Sequence, residues 1–403
     1  MKILYLNALY APMIKGGAEI SLKLIVEGMQ ARGYEVVLLS MTPNKGLTSE
    51  YVDGVKVYRA ELKNAYWPFT NEKASKLKRM VWHFRDRNNT AMRSYLREVL
   101  LAEKPDVVSC HNLVGWSVAV WDEIKSQRIP IVQVLHDMYL LCPNSEMYKS
   151  DTDCNEICLS CKLLRSAHQK KSQNVNAVVG ISKSILNRFE KHGYFSGVQK
   201  HVILNTRSIP DPGSTRKRKA GTKLRIGYFG TLLKKKGIEW LIQSFRQLQI
   251  DATLIIGGVG QKDYESELRD LAKGSRIEFI GHTNPADFYP QIDVLVVPSL
   301  WQEPLGMVAI EALGNHIPVI ANQIGGLQET VQENVNGLFC TDQKPESLTK
   351  ALLKLYNDTD LYNQLSGSAR ASVASILDSN RMLDEYEKVM KSITEPTAKH
   401  ETR

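Results

Sequence analysis

Two glutamates frame the segment Glu303-Pro-Leu-Gly-Met-Val-Ala-Ile-Glu311. A short apolar strand at 294–297 and the loop Pro298-Ser-Leu-Trp-Gln302 precede it, and a helix is predicted to begin near Gly306. One carboxylate then stands in the loop at the helix mouth, and the other lies one to two turns inside. A helix mouth offers free N–H groups and positive partial charge, which suit a diphosphate. Two acceptor carboxylates beside it suit sugar and ribose hydroxyls. Spacing alone decides little, because such glutamate pairs are common. Pro298-Ser299, Pro304-Leu305-Gly306 and Gly325-Gly326-Leu327-Gln328-Glu329 narrow the reading to a nucleotide-sugar site.

Other segments carry chemistry of the same kind. Gly230-Thr231-Leu-Leu-Lys234-Lys235-Lys236-Gly237 ends a strand and opens a helix, so its glycine admits close backbone approach and its lysines place charge where a diphosphate would lie. The alternative is a solvated helix start. Gly16 and Gly17 stand between the first strand and the first helix, and they do not form a G-x-G-x-x-G nicotinamide fingerprint. His111 ends the strand at 107–110, and its position is expected to face a cleft rather than the core. His136-Asp137 ends the strand at 131–135 and reads as acceptor-side or structural. Cys142, Cys154, Cys158 and Cys161 cluster on one loop. Four thiolates would close a structural zinc site, with free thiols or disulfides as the other readings. Asp151-Thr152-Asp153 lies inside that loop and reads as coincidence.

Between Lys73 and Arg97 the chain holds eight Lys or Arg against one acid, Asp86. Leu77, Met80, Val81, Phe84, Met92, Tyr95 and Leu96 recur there at helical spacing. Two readings stand: a basic amphipathic helix on an anionic membrane surface, or a surface helix whose apolar stripe packs on a sheet.

These residues need positioning elements, and the chain supplies them. It has 403 residues, 43% hydrophobic and 24% charged, too many for one core. Apolar strands alternate with helical patterns throughout, which predicts parallel sheets covered on both faces. Strands are expected at 3–6, 36–39, 55–58, 107–110, 131–135, 177–181, 202–204, 224–229, 252–256, 277–280, 294–297 and 319–321. A single long helix is expected over 77–101. The polar, basic stretch 210–222 reads as a linker between a domain at 1–209 and one at 223–378. Two such doubly wound domains would leave a cleft at the carboxyl ends of their strands. A net charge of +9 favours anionic partners, and no nucleic-acid-binding motif appears. No apolar run is long enough to span a bilayer, and the first residues read as a strand rather than a signal peptide, so a cytoplasmic protein with at most peripheral membrane contact is expected.

From Gly16 to about Gly337 the chain resembles the retaining glycosyltransferases of family 4, which share the GT-B fold of two Rossmann-like α/β domains. The resemblance implies transfer of a hexose from a nucleoside diphosphate sugar to a hydroxyl of a saccharide or lipid-linked saccharide, in bacterial surface polysaccharide assembly, with no catalytic metal. It implies that Glu303 and His111 contact the donor sugar, that Glu311 holds the ribose, and that the backbone N–H groups of Leu305, Gly306 and Met307 meet the diphosphate. Lys236 matches the family's lysine and would neutralise the leaving group, with Gly230 and Lys235 beside it. Thr231 stands where the family usually has Arg, and a lysine cannot reproduce a bidentate guanidinium. Gly16 and Gly17 match the family's phosphate-approaching loop. Gly257, with Gly258, and Gly281 with His282 match turns near the base. By resemblance, the final helix at about 379–392 packs back on the N-terminal domain. A nucleotide-sugar epimerase of the same architecture and a non-catalytic partner subunit are the rival functions.

Overall fold

Val, Ile and Leu runs bounded by glycine form strands here because both faces of a parallel sheet are covered and admit only apolar side chains. The computed structural model describes residues 1–70, 74–340 and 344–395. In chain order its strands are β1 (Lys2–Leu6), β2 (Glu35–Thr42), β3 (Leu47–Val52), β4 (Val55–Glu61), β5 (Val107–Cys110), β6 (Ile131–Leu135), β7 (Tyr148–Lys149) and β8 (Thr152–Asp153). They continue as β9 (Ala177–Gly180), β10 (Gln199–Val202), β11 (Leu224–Phe229), β12 (Ala252–Gly257), β13 (Ile277–Gly281), β14 (Val294–Val297), β15 (Val319–Asn322) and β16 (Gly337–Cys340). Two compact units result. One comprises Met1–Met147, Asn155–Leu204 and the chain from Asn380; the other comprises Tyr148–Cys154 and Asn205–Ser379.

The first unit holds a sheet in the order β10-β9-β6-β5-β1-β2-β4-β3, parallel except for the β3–β4 pair. Strand order reverses beside β1, which lies between β5 and β2. The second unit holds β13-β12-β11-β14-β15-β16, and its order reverses between β11 and β14. Such reversal points open a crevice at the carboxyl ends of the strands, where ligands of doubly wound sheets bind. In the first unit these ends lead to Asn7 and His111; in the second they lead to Gly230 and to the loop from Pro298.

Most expected strands fall within a residue or two of those found. β3 was not expected because Leu47–Val52 is a largely exposed edge strand without an apolar run. The expected strand at 202–204 forms earlier, as Gln199–Val202, again with mainly polar, exposed residues. Residues 210–222 belong to the second unit, where the Arg216 and Arg218 amides donate to Ser366 (3.0 Å) and Asn363 (2.9 Å) of the helix Thr359–Ser372.

The expected long helix is two helices, Lys76–Asp86 and Arg93–Glu103, joined through the single 3-10 turn Thr90–Met92. The break falls at Asn88-Asn89, residues that compete with helical bonding through their own side chains. Asn89 donates to the carbonyls of Lys63 and Gly115, each at 3.1 Å. The apolar stripe divides with it. Met92 and Leu96 are buried, while Leu77, Met80 and Phe84 are 65%, 62% and 63% exposed. The first helix is held instead by Trp82 and by buried Asp86, which accepts from the Gly115 amide (2.8 Å), the Tyr139 hydroxyl (2.7 Å) and Arg165 (3.5 Å). Lys73 and the chain beyond 395 lie outside the described residues.

The helix Ser379–Thr394 packs in the first unit against the helix Gly17–Ala31. Arg32 pairs with Asp384 (2.7 Å) and Glu387 (3.1 Å). Gly28 makes the close approach possible, since a Cβ there would lie 2.5 Å from Leu383 Cδ1. Leu383→Ala is expected to cost about 2–4 kcal/mol in denaturant unfolding of the full chain. A loss under about 0.5 kcal/mol would mean that this helix contributes little to the first unit's core.

Candidate active site

In the second unit the loop after β14 turns Glu303 inward, where it is 7% exposed. Its Oε1 accepts from the Ser299 hydroxyl (2.7 Å), the Trp301 indole (3.0 Å) and the Lys236 ammonium. Burial alone would push this carboxyl up, but Lys236, Ser299 and Trp301 outweigh it and hold Glu303 below the usual carboxylate range. Lys236 comes from the 3-10 turn Lys234–Lys236, whose Lys235 carbonyl accepts from the Leu300 amide at 2.8 Å. Lys235 also lies over the Trp301 ring, 4.0 Å from its centroid. The lysine turn and the glutamate loop are therefore one packed assembly.

Glycine makes that assembly possible at two places. Gly237 has φ 72°, and a Cβ there would lie 1.9 Å from the Pro298 carbonyl oxygen. Gly325 has φ 56° and sits on the Glu303 backbone, 2.4 Å from its carbonyl oxygen by the same measure, while the Gly326 amide donates to that oxygen at 2.7 Å. The Gly-Gly turn thus shapes the glutamate loop from behind. The loop delivers the chain to the helix Met307–Gly314, capped at Gly306, so Leu305, Gly306 and Met307 stand at a helix mouth.

Glu311 lies on that helix, mostly buried. It accepts from the Tyr289 hydroxyl at 3.0 Å, and Arg207 Nε approaches it at 3.6 Å. Burial raises its pKa, opposed by Arg207 and Tyr289. Gly230, Gly257 with Gly258, and Gly281 line up at the ends of β11, β12 and β13: the Gly230 amide donates to Gly257 (3.0 Å) and the Gly258 amide to Gly281 (2.7 Å). Thr231 and His282 are exposed. Asp153 of the β7–β8 hairpin accepts from Gln302 at 3.0 Å, one residue before Glu303. Ser299 and Trp301 lay in a loop that the sequence singles out, without their roles being visible. Arg207, Tyr289 and the Asp153–Gln302 bond had no local signal, since each partner is distant in sequence.

In the first unit, Gly16 and Gly17 begin the first helix. Glu19 accepts from the Gly16 amide (2.8 Å) and the Lys15 amide (3.4 Å), closing the turn. His111 is 2% exposed, so its ring is in the interior rather than facing outward. One ring nitrogen meets Ser109 (3.1 Å) and the other meets His136 (2.9 Å), and the two imidazoles stack at 22°. Burial, with His136 nearby, holds His111 well below the usual imidazole range, so His111 is a neutral ring. Asp137 accepts from the Tyr139 amide at 2.7 Å, and burial pushes its pKa up to about 7, with Glu19 and Cys142 adding to the rise and Arg165 opposing it.

Three of the four clustered cysteines converge in this unit. Cys158 and Cys161 have sulfurs 3.3 Å apart, and Cys142 hydrogen-bonds Cys161. Cys154 is assigned to the second unit. Among the described residues, no group of three or more His, Cys, Asp or Glu is arranged to hold a metal ion.

Lys236→Met leaves a buried carboxylate without its cation and is expected to cost roughly 2–3 kcal/mol in denaturant unfolding. Adding Glu303→Gln is expected to recover part of that loss; strict additivity would show that the two side chains are not coupled. Between about pH 4 and pH 7, folded Asp137 keeps a proton that the unfolded chain has released, so its contribution declines as pH rises through that window. Asp137→Asn is therefore expected to gain in Tm over the parent from pH 5 to pH 8. A gap independent of pH would contradict the raised carboxyl.

The family described as Glycosyltransferase Family 4 matches residues 15–206, and that described as Glycosyl transferases group 1 matches residues 214–372. A protein of Klebsiella pneumoniae described as an uncharacterized 42.6 kDa protein in the cps region is 29% identical over 343 residues, 85% of this chain and 90% of its own length. The capsular polysaccharide biosynthesis glycosyltransferase CapM of Staphylococcus aureus is 30% identical over 169 residues, 40% of this chain and 44% of its own. Anabaena HepE, solved in complex with UDP and glucose, superposes with a TM-score of 0.71 at 19% identity, covering 97% of this chain and 100% of that one. With its earlier half matched by one of these families and its later half by the other, the chain is a glycosyltransferase of family 4 with the GT-B fold.

Proposed function

We propose that this glycosyltransferase moves a hexose from a nucleoside diphosphate sugar to a hydroxyl of a saccharide or lipid-linked saccharide, with retention at the anomeric carbon, in surface polysaccharide biosynthesis. The observation that carries the reading is the pairing of buried Glu303 with half-buried Lys236 beside the mouth of the helix Met307–Gly314. A cation and free helix amides suit the diphosphate, and a carboxylate held in its charged form suits sugar hydroxyls. Glu311 would take the ribose hydroxyls in competition with Arg207 and Tyr289. The bond from the anomeric carbon to the diphosphate oxygen breaks, the acceptor oxygen bonds to the same face, and its proton passes to the leaving diphosphate. Catalysis on this reading is positioning and electrostatic preorganisation. His111 and His136 would act through the sheet end they order, with Asp137 on the acceptor side. The setting in polysaccharide biosynthesis is supported by the names of the relatives.

Thr231 favours one rival. It is exposed where family 4 usually carries Arg, which suits a partner subunit without turnover. A panel of nucleotide sugars with saccharide acceptors separates the two. Transfer by the parent chain, falling roughly 100-fold or more in a folded Glu303→Ala variant, is the expected result. No release of nucleoside diphosphate from any donor would favour the silent subunit, and near-parent turnover of Glu303→Ala would remove its assigned role.

The helix Lys76–Asp86 supports an acceptor held at an anionic bilayer. Leu77, Met80, Val81 and Phe84 form one exposed stripe, flanked by exposed Lys76, Lys78, Arg79 and Arg85. Among the described residues no helix is long and apolar enough to cross a membrane. Co-sedimentation with phosphatidylglycerol vesicles is expected, with little on phosphatidylcholine, and loss in Leu77→Glu/Phe84→Glu. Equal sedimentation of parent and variant would contradict this surface.

A further inference from the structure

Asp151-Thr152-Asp153, which reads as coincidence in the sequence, falls on a hairpin beside the glutamate loop. The hairpin belongs to the second unit, although the chain up to Met147 and from Asn155 belongs to the first. β7 and β8 pair antiparallel, with Tyr148 opposite Asp153 and Lys149 opposite Thr152. Between them Ser150 and Asp151 both stand in the left-handed region, at φ 51° and 57°, the geometry of a tight two-residue hairpin turn. The Thr152 hydroxyl donates to the Lys149 carbonyl at 3.0 Å and closes it. Each strand of the hairpin then meets one half of the candidate site. On β8, Asp153 Oδ2 accepts from Gln302 Nε2 at 3.0 Å. Gln302 has little slack, because a Cβ on Gly325 would lie 3.0 Å from its carbonyl carbon. Its backbone therefore rests on the Gly-Gly turn while its side chain is held by the hairpin. On β7, the Tyr148 hydroxyl is buried; burial raises its pKa, and Asp151, Asp153 and Glu239 add to the rise. Glu239 lies in the first turn of the helix Ile238–Arg246, directly after the lysine turn.

We propose that Asp153 is a positioning residue for sugar transfer: through Gln302 it fixes the backbone that carries Glu303, and with it the place from which that carboxylate meets the donor sugar. The inference rests on the reading of Glu303 as the sugar contact. Ser299 and Trp301 orient the Glu303 side chain, but they belong to the same loop and move with it. Lys236, the turn at Gly325 and Asp153 hold the loop from outside. A carboxylate that must meet particular hydroxyls of a sugar loses much of its effect when displaced by about 1 Å, so a bond that touches no substrate can still set the rate. The Asp153 carboxylate acts here as a hydrogen-bond acceptor, and its charge is not required.

The test compares Asp153→Ala with Asp153→Asn, whose side-chain carbonyl can still accept from Gln302, both in the full chain. UDP-glucose, UDP-galactose and GDP-mannose serve as donors, with the panel of saccharide acceptors. Asp153→Ala is expected to lower kcat roughly 10- to 100-fold with the donor KM within about twofold of the parent, and Asp153→Asn to stay within about threefold in kcat. Gln302→Ala is expected to lose as much as Asp153→Ala, and the double variant no more than either. Parent-like kcat in Asp153→Ala, additive losses in the double variant, or an Asn variant as slow as the Ala variant would each overturn the proposal. Should the parent transfer from none of these donors, it is the reading of Glu303 that fails, and crystal structures of the parent and Asp153→Ala still decide the hairpin's hold on the loop. A shift of Gln302 and Glu303 by roughly 0.5–1 Å is expected there, and an unmoved loop would overturn it.

Discussion

A carboxylate taken out of water has to be held by donors that do not move away, and the second unit is organised around that constraint at Glu303. Three donors reach it, from Ser299, Trp301 and Lys236. Two of them lie on the same loop, and the third arrives from the end of another strand. The arrangement requires the lysine turn and the glutamate loop to touch backbone to backbone, which only Gly237 permits, and requires the loop to rest on the turn at Gly325 and Gly326. The pair adds little net stability, because desolvation of the buried carboxylate opposes the attraction. Its value lies in fixing the orientation of a carboxylate and an ammonium before any ligand arrives.

Sheet topology explains why the site sits where it does. Strand order in the second unit reverses between β11 and β14, and the lysine turn follows one of these strands while the glutamate loop follows the other. The first unit repeats the device with β1 and β5, whose ends carry Asn7 and His111. There the side chains are knitted inward. Asn7 accepts from the Asn112 amide at 2.8 Å, and His111 spends its nitrogens on Ser109 and His136. One reversal point offers charge and helix amides; the other offers a hydrogen-bonded pair of imidazoles.

Much of this was legible in the residue order. Central strands such as Val107–Cys110, Ile131–Leu135 and Val294–Val297 are apolar runs that could be little else, and Gly306 marks its helix start. The glycines near Glu303 and Lys236 identified a backbone that must come close to something. What they come close to was not legible, because it is other backbone: Gly237 meets Pro298, and Gly325 meets Glu303. The placement of His111 also needed the structure, since a strand end can turn its side chain either way. The helical stripe from Leu77 to Leu96 looks continuous in sequence because periodicity does not register Asn88, whose side chain accepts from Lys171, or Asn89, whose side chain donates to the carbonyls of Lys63 and Gly115. Edge strand β3 and the role of Arg207 had no pattern to betray them, as one is polar and exposed and the other pairs far along the chain.

The central claim is that the Lys236–Glu303 pair and the adjoining helix mouth hold the activated sugar. A crystal structure with an intact nucleoside diphosphate sugar tests it most directly. The account requires the diphosphate within hydrogen-bond reach of the Leu305–Met307 amides and of Lys236, with the hexose against Glu303. A nucleotide sugar ordered elsewhere on the chain, with the Lys236–Glu303 pair unchanged and untouched, would contradict it.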